Sequence, residues 1–123
     1  MAYTELVYQE IVRTGLSPSY TGALATGHGF ENSDESVILH VKNASGASVD
    51  VTISTPNTLD SLAISDLVVA VPAGEERFIG PFPAEVYEQY DSDIDKRNLV
   101  LVDTSAQTSV TYAALKIGTL DYE

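Results

Sequence analysis

The stretch SVILHVKNASGASVDVTI, residues 36–53, decides the fold class that this sequence predicts. In its first half Val37, Leu39 and Val41 alternate with other residues and therefore share one face of an extended strand. Its second half, VDVTI, alternates in the same way, and the ASGAS between them has the composition of a turn. The pattern predicts a β-hairpin with one buried face.

Similar signals continue along the rest of the chain. An apolar run of strand length is followed by the turn PAG and a further strand, and two more alternating segments flank the polar linker SAQTS. These predicted strands are residues 67–71, 76–80, 99–104 and 110–117, the last two as a pair. Residues 5–12 fit both periods, and their tyrosine and β-branched residues favour a strand. Short strands separated by turns predict one all-β domain over residues 1–123, a β-sandwich or a jelly-roll-like β-barrel.

One helical turn is predicted, in PAEVYEQY at residues 83–90. Pro83 suits the first helical position, where its missing N–H costs nothing, and Glu85 in the first turn suits the helix dipole. The preceding GPFP forces the chain out of its sheet, because Pro81 and Pro83 cannot donate to a central ladder. Phe82 between them must enter the core or bind a neighbouring subunit.

The charge balance restricts the possible partners. Eighteen acidic residues against six basic ones give a formal net charge of -12 over 123 residues. Binding to nucleic acid or to an anionic membrane surface requires basic residues, so neither is expected. Two explanations of the acidity stay open: adaptation to a salty cytoplasm, where salt screens self-repulsion, or plain solubility.

Other classes are disfavoured by what the sequence lacks. There is no cysteine for a disulfide or thiolate metal site, no apolar run of membrane-spanning length, and no basic and apolar leader in MAYTELVYQE. We therefore expect synthesis in a cytoplasm without export by a secretory signal. Nucleotide-binding glycine loops and the G-x-S-x-G nucleophile motif are also missing. His28 and His40 do not suggest a zinc site, since His40 lies on the strand face that Lys42 shares. We expect no enzymatic activity and no cofactor.

The strongest chemical signal is a run of carboxylates, Asp91, Asp93 and Asp95, at the spacing of the first three ligands of an EF-hand loop. That loop also requires a glycine and a glutamate where this chain has Lys96 and Val102, so the motif fails. A less regular Ca²⁺ or Mg²⁺ site stays open, and a solvated loop is the simpler interpretation. The other candidate ligands for such a site are Glu85 and Glu88.

Several segments together carry a resemblance to a known family. They are LSPSY (16–20), GHGFEN (27–32), LHVKN (39–43), VTI (51–53) and VPAGEERFIGPFP (71–83). Over residues 14–117 the chain resembles small proteins encoded among the head genes of tailed viruses, some of them head decoration (cement) proteins. The resemblance implies a β-barrel or sandwich on the outside of the virion. It also implies the major capsid protein as partner and trimers at capsid three-fold axes.

Residues for such contacts follow as expectations. An extended arm at residues 1–12, the loop 17–29 and a tail at 119–123 would contact the shell or a sister subunit, partly by adding to a neighbour's sheet. The expected interaction residues are Tyr3, Leu6, Tyr8, Tyr20, Phe30 and Phe82. Two alternatives stay open. One is a head–tail connector or tail component, and the other a carbohydrate- or Ca²⁺-binding β-module using residues 85–95 with Tyr87 and Tyr90.

Overall fold

A computed structural model describes residues 3–32, 35–56, 58–59 and 61–117. Two mixed sheets face each other across one core, so the prediction of an all-β sandwich is confirmed, while the sheets do not close into the alternative barrel. No helix within these ranges is long and apolar enough to cross a membrane. The tail predicted at 119–123 lies outside the described residues.

The strands divide between the sheets as follows. Sheet A has the spatial order β1 (Thr4–Glu5), β4 (His28–Glu31), β12 (Lys96–Thr104), β6 (Val49–Ile53) and β9 (Leu67–Val71), and β11 (Gln89–Asp91) also pairs with β12. Sheet B has the order β10 (Glu76–Ile79), β5 (Val37–Asn43), β13 (Val110–Ile117) and β2 (Gln9–Ile11), and β3 (Thr21–Gly22) also pairs with β13. A separate two-stranded ribbon joins β7 (Thr58–Leu59) to β8 (Leu62–Ala63).

For the hairpin predicted at residues 36–53, the buried faces are confirmed, but the two strands do not pair with each other. Val37, Leu39 and Val41 are fully buried, as the alternation predicted. However, β5 belongs to sheet B and β6 to sheet A, so the five residues between them cross the sandwich instead of turning within a sheet. The predicted pair of residues 99–104 and 110–117 is wrong for the same reason, since β12 and β13 lie in opposite sheets.

Three such crossings meet at one end of the sandwich, after β5, β9 and β12, and Asn43 holds them together. Its side-chain Nδ2 donates to the carbonyl oxygens of Ala47 at 2.8 Å and Val71 at 2.9 Å. The next residue, Ala44, donates its backbone N–H to the carbonyl of Ser109 at 2.9 Å. These bonds satisfy backbone groups that a hairpin would have paired within one sheet, and so they stabilise the crossings.

The chain break at GPFP, residues 80–83, places the Phe82 side chain in the core. Phe82 is 1% exposed and packs against Phe30, with ring centroids 5.7 Å apart. Asn32 fixes the break by donating from Nδ2 to the Phe82 carbonyl at 2.7 Å. The helical turn predicted at 83–90 is confirmed as α1 (Ala84–Tyr87), although Pro83 is its N-cap and not its first residue.

Of the segment 1–12, expected to be an extended arm, the described residues 3–12 pair with strands of both sheets. β1 pairs in parallel with β4 in sheet A, and β2 pairs in parallel with β13 in sheet B. Leu6 lies between these two strands and is 4% exposed. Burial of the Leu6 side chain in the core helps to hold the segment on the body.

Candidate functional site

The outer face of sheet B carries a cluster of polar and aromatic side chains around His40. We call Tyr20, His40, Lys42, Glu76 and Phe78 the His40 cluster. Within sheet B, Phe78 of the edge strand β10 is the direct cross-strand partner of His40, and Glu76 is that of Lys42. Side chains of alternate residues lie on the same face of a strand, so this pairing brings the four together.

Hydrogen bonds and stacking hold the His40 ring in one orientation. Its Nε2 lies 2.6 Å from Glu76 Oε1 and its Nδ1 lies 2.7 Å from the Tyr20 hydroxyl. A carboxylate only accepts, so Nε2 carries a proton and donates to Glu76. Phe78 stacks on the ring with centroids 4.0 Å apart at an interplanar angle of 9°. This packing leaves His40 only 5% exposed although it lies on an outward face.

Phe78 is the exposed aromatic side chain of the cluster. Its side chain is 63% exposed while one ring face rests on His40. Lys42 lies on the far side of the cluster, with Nζ 4.0 Å from the centroid of the Tyr20 ring. The result is a rigidly held aromatic ring beside both signs of charge. Such preordered aromatic surface is typical of contact sites, since little conformational entropy is lost when a partner covers it.

The backbone of β10 forms the edge of sheet B beside this cluster. The N–H of Asn43 donates to the carbonyl of Glu75 at 2.9 Å, which fixes the phase of the antiparallel ladder. In an antiparallel ladder, hydrogen-bonded pairs alternate with non-bonded pairs, so the backbone of Arg77 also bonds to β5. The backbone N–H and C=O groups of Glu76 and Phe78 therefore point away from the sheet. The Arg77 side chain donates to the outward carbonyl of Glu76 at 2.8 Å and pairs with the Glu75 carboxylate at 3.0 Å.

The second histidine, His28, lies inside the sandwich and does not share a site with His40. His28 is 1% exposed on β4, and its Nδ1 hydrogen-bonds the hydroxyl of Tyr112 from the opposite sheet. Burial lowers the pKa of His28 and raises that of Tyr112. The pair thus satisfies two buried polar groups across the core, and its role is structural.

A further polar contact involves the hydroxyl of Tyr3, near the start of the described chain. The Tyr3 hydroxyl donates to Asp103 Oδ2 at 2.7 Å. Burial, and then the hydrogen bond to Asp103, raise the pKa of Tyr3 to about 12. The contact ties the start of the described chain to β12 and leaves this hydroxyl engaged.

The carboxylates of the β11–β12 turn do not converge. Asp91 Oδ2 accepts the backbone N–H groups of Asp93 at 3.1 Å and Ile94 at 3.0 Å, and Asp95 accepts the Tyr90 hydroxyl at 2.8 Å. Across the described ranges no three histidine, aspartate or glutamate side chains are grouped so that they could hold a metal ion. These aspartates therefore organise a turn.

The two tyrosines of the carbohydrate-binding alternative also lie in different settings. Tyr87 packs edge-on against the buried Phe82 ring at 5.4 Å, whereas Tyr90 is 51% exposed near Arg97. They form no common aromatic surface.

The six expected interaction residues divide into two groups. Leu6, Phe30 and Phe82 are buried in the core, so assigning them to a binding surface was wrong: strand alternation and the GPFP break turn them inward. Tyr3, Tyr8 and Tyr20 are half-buried. Of these, only Tyr20 belongs to the His40 cluster.

The loop 17–29 is tied down at both ends. Gln9 donates from Nε2 to the Ser19 carbonyl at 2.7 Å and accepts the Ser19 N–H at 2.8 Å, and β3 then pairs with β13. The loop supplies Tyr20 to the His40 cluster. This cluster was not predicted from the sequence. The available signal was that His40 and Lys42 lie on the same face of their strand, as do Glu76 and Phe78.

No protein family, curated protein or solved structure matches this chain. The functional argument therefore depends on the surface of the molecule.

Proposed function

We propose that this chain is a non-enzymatic virion structural protein that binds the outside of a tailed-virus capsid as a trimer and stabilises it. The observation that carries the proposal is Phe78, an aromatic side chain 63% exposed and yet stacked on a fixed histidine ring. The capsid as partner comes from the family resemblance of residues 14–117, and the physical argument concerns how this body would bind a protein.

A structural binding protein needs a stiff body and a few preordered contact residues. Bonds between the two sheets, such as those of Asn43 and the pair His28–Tyr112, join the sandwich internally. His28, 1% exposed, bonds across the two sheets, and His40, 5% exposed, is held by bonds on the outer face of sheet B. Aromatic side chains dominate the energetics of protein interfaces because they bury large area at low entropic cost, and Phe78 meets that requirement.

The acidic surface makes assembly depend on salt. A net charge of -12 opposes the approach of identical subunits, and at molar salt the screening length falls to about 3 Å. Three of the six basic side chains are paired with carboxylates. Lys96 is 2.8 Å from Glu5, Arg77 is 3.0 Å from Glu75, and Lys116 is 3.8 Å from Glu10.

The test is the mass in solution, measured by light scattering at low and at molar salt. We expect three times the chain mass at molar salt and dissociation at low salt. A monomer at both salts would contradict the trimer, and a larger ring would favour the connector or tail alternative. A calcium titration followed by thermal unfolding separates the third class, because a bound ion at a hundredfold its Kd would add about 2.7 kcal/mol.

A further inference from the structure

We propose that the free edge of β10 accepts an extended, basic segment of the partner protein as an added strand of sheet B. This inference rests on the proposed function, because it names the chemistry of the partner that the structural protein would bind. It starts from the two residues whose backbone groups point away from the sheet, Glu76 and Phe78.

Within the described part of the chain, no strand pairs with the outer edge of β10, and this edge is short. An unpaired strand edge is a template for another strand, and proteins usually block it with charge or proline. In β10 the block is partial, since the Arg77 guanidinium covers only the outward carbonyl of Glu76. Beyond Gly80 the chain reaches Pro81, which has no N–H to offer. The added strand would therefore pair over about three residues, centred on Phe78.

The side chains beside this edge specify the incoming segment. A residue placed opposite Phe78 would lie on the same outer face and contact the exposed ring, which favours an apolar side chain there. A residue two positions away would lie opposite Glu76, whose carboxylate side chain is 57% exposed, and this favours lysine or arginine. The segment is thus basic–x–apolar in an extended conformation.

Charge argues against a second copy of this chain as the occupant. A second β10 edge would add its own Glu75 and Glu76 to this surface, on a chain that also carries a net charge of -12. A basic segment has the opposite sign to both the local carboxylates and the whole molecule. Complementary charge of this kind speeds encounter and selects the partner.

The experiment uses the full chain labelled with ¹⁵N, at low salt, and the peptide acetyl-TKTVTKT-amide, whose central valine and flanking lysines suit either strand direction. We expect NMR shift changes and slowed hydrogen exchange at the amides of Glu76 and Phe78. The peptide acetyl-TETVTET-amide should not bind. No change at these two amides, or equal binding of both peptides, would overturn the proposal.

Three variants sharpen the result. Phe78→Ser should weaken the peptide about tenfold, whereas Val68→Ser, which alters a 55% exposed apolar residue on edge strand β9 of sheet A, should not. Arg77→Ala should tighten binding about three- to tenfold, because it uncovers the Glu76 carbonyl and removes a positive charge. Equal weakening by Phe78→Ser and Val68→Ser would contradict the assignment to β10.

The outcomes separate this inference from the proposed function. A salt-dependent trimer that ignores the lysine peptide would refute the β10 docking alone. A chain that binds the peptide but stays monomeric at every salt would refute the trimer alone. If Arg77→Ala raises the solution mass without peptide, the edge prefers a second copy, and the basic-segment proposal is overturned.

Discussion

The side-chain amide of Asn43, the last residue of β5, donates to the carbonyl oxygen of Val71, the last residue of β9, over 2.9 Å. The two residues belong to opposite sheets, and each is at most 2% exposed. The bond therefore joins the halves of the sandwich where the chain crosses between them. A buried amide in this position adds a bond between the sheets at the end of β9, where Val71 also pairs with Val49 of β6.

We expect Asn43→Ala to lower the free energy of unfolding by about 2–4 kcal/mol, because the buried Asn43 side chain loses its bonds to the carbonyls of Val71 and Ala47 at once. Urea denaturation measures the change. Ser45→Ala is the matched control, since the Ser45 hydroxyl bonds Asn43 Oδ1 in the same loop but is solvent-accessible. It should cost about 0.5–1.5 kcal/mol. Equal effects of the two variants would show that Asn43 does not join the sheets.

The buried His28 gives stability a defined dependence on pH. Burial lowers its pKa in the folded chain below the ordinary 6.5, so in the window below about pH 6.5 the unfolded chain binds a proton that the folded chain does not. This contribution to stability is complete above pH 6.5. As the pH falls towards the folded-state pKa, it is lost by at most about 1.4 kcal/mol per pH unit.

The prediction is tested by urea denaturation at steps from pH 7.5 to pH 5. His28→Gln should flatten the curve relative to the parent chain between pH 6.5 and pH 5. Tyr112→Phe should lower stability at every pH by about 1–3 kcal/mol while keeping the slope, because burial and not the hydroxyl lowers the pKa of His28. A slope unchanged by His28→Gln would contradict the buried neutral ring.

Gly27 should not tolerate a side chain. Its φ is +80°, and a Cβ there would lie 2.5 Å from Asp103 Oδ1 and 2.8 Å from the Val102 carbonyl oxygen. We expect Gly27→Ala to cost about 2 kcal/mol or more through backbone strain and displacement of Asp103. Gly46→Ala has open space around its Cβ and should change stability by less than about 0.5 kcal/mol. Thermal unfolding measures the stability of the two variants, and similar melting temperatures would contradict the tight packing at Gly27.

The Tyr3–Asp103 contact predicts an unusually basic phenol. The pKa of Tyr3 is about 12, against an ordinary 10.0, and burial is the first cause. Asp103→Asn should lower that pKa, though not fully to 10.0, because the burial persists while the negative acceptor is gone. An alkaline titration of the tyrosine ring carbons by NMR reports it, with Tyr3→Phe to assign the resonance. A value unaffected by Asp103→Asn would mean that the two side chains do not bond in solution.

The sequence predicted which residues of the strands are buried, but not which strands pair. Alternation places Val37, Leu39 and Val41 on one buried face whichever sheet the next strand joins, so it cannot distinguish a hairpin from a crossing. At this crossing the Asn43 side chain bonds the carbonyl of Ala47, four residues on, and that of Val71, 28 residues away. Such a contact leaves no periodic signal. An asparagine that ends an apolar strand is its only local sign.

The candidate site was hidden for a related reason. The phase of His40 and that of Phe78 are each readable on their own strands, yet their stacking depends on the register between β5 and β10, which are separated by more than thirty residues. Phe82 shows the opposite case. The GPFP break was predicted, and the choice between core and partner was settled by packing against Phe30.

The most direct test of the proposed function is cryo-electron microscopy of tailed-virus heads prepared with and without this chain. The account predicts density for a β-sandwich on the outer surface at the three-fold axes, with the β10 edge and Phe78 against the shell. It also predicts that heads lacking the chain break at lower temperature. Heads without such outer density, or density confined to the head–tail junction, would contradict it.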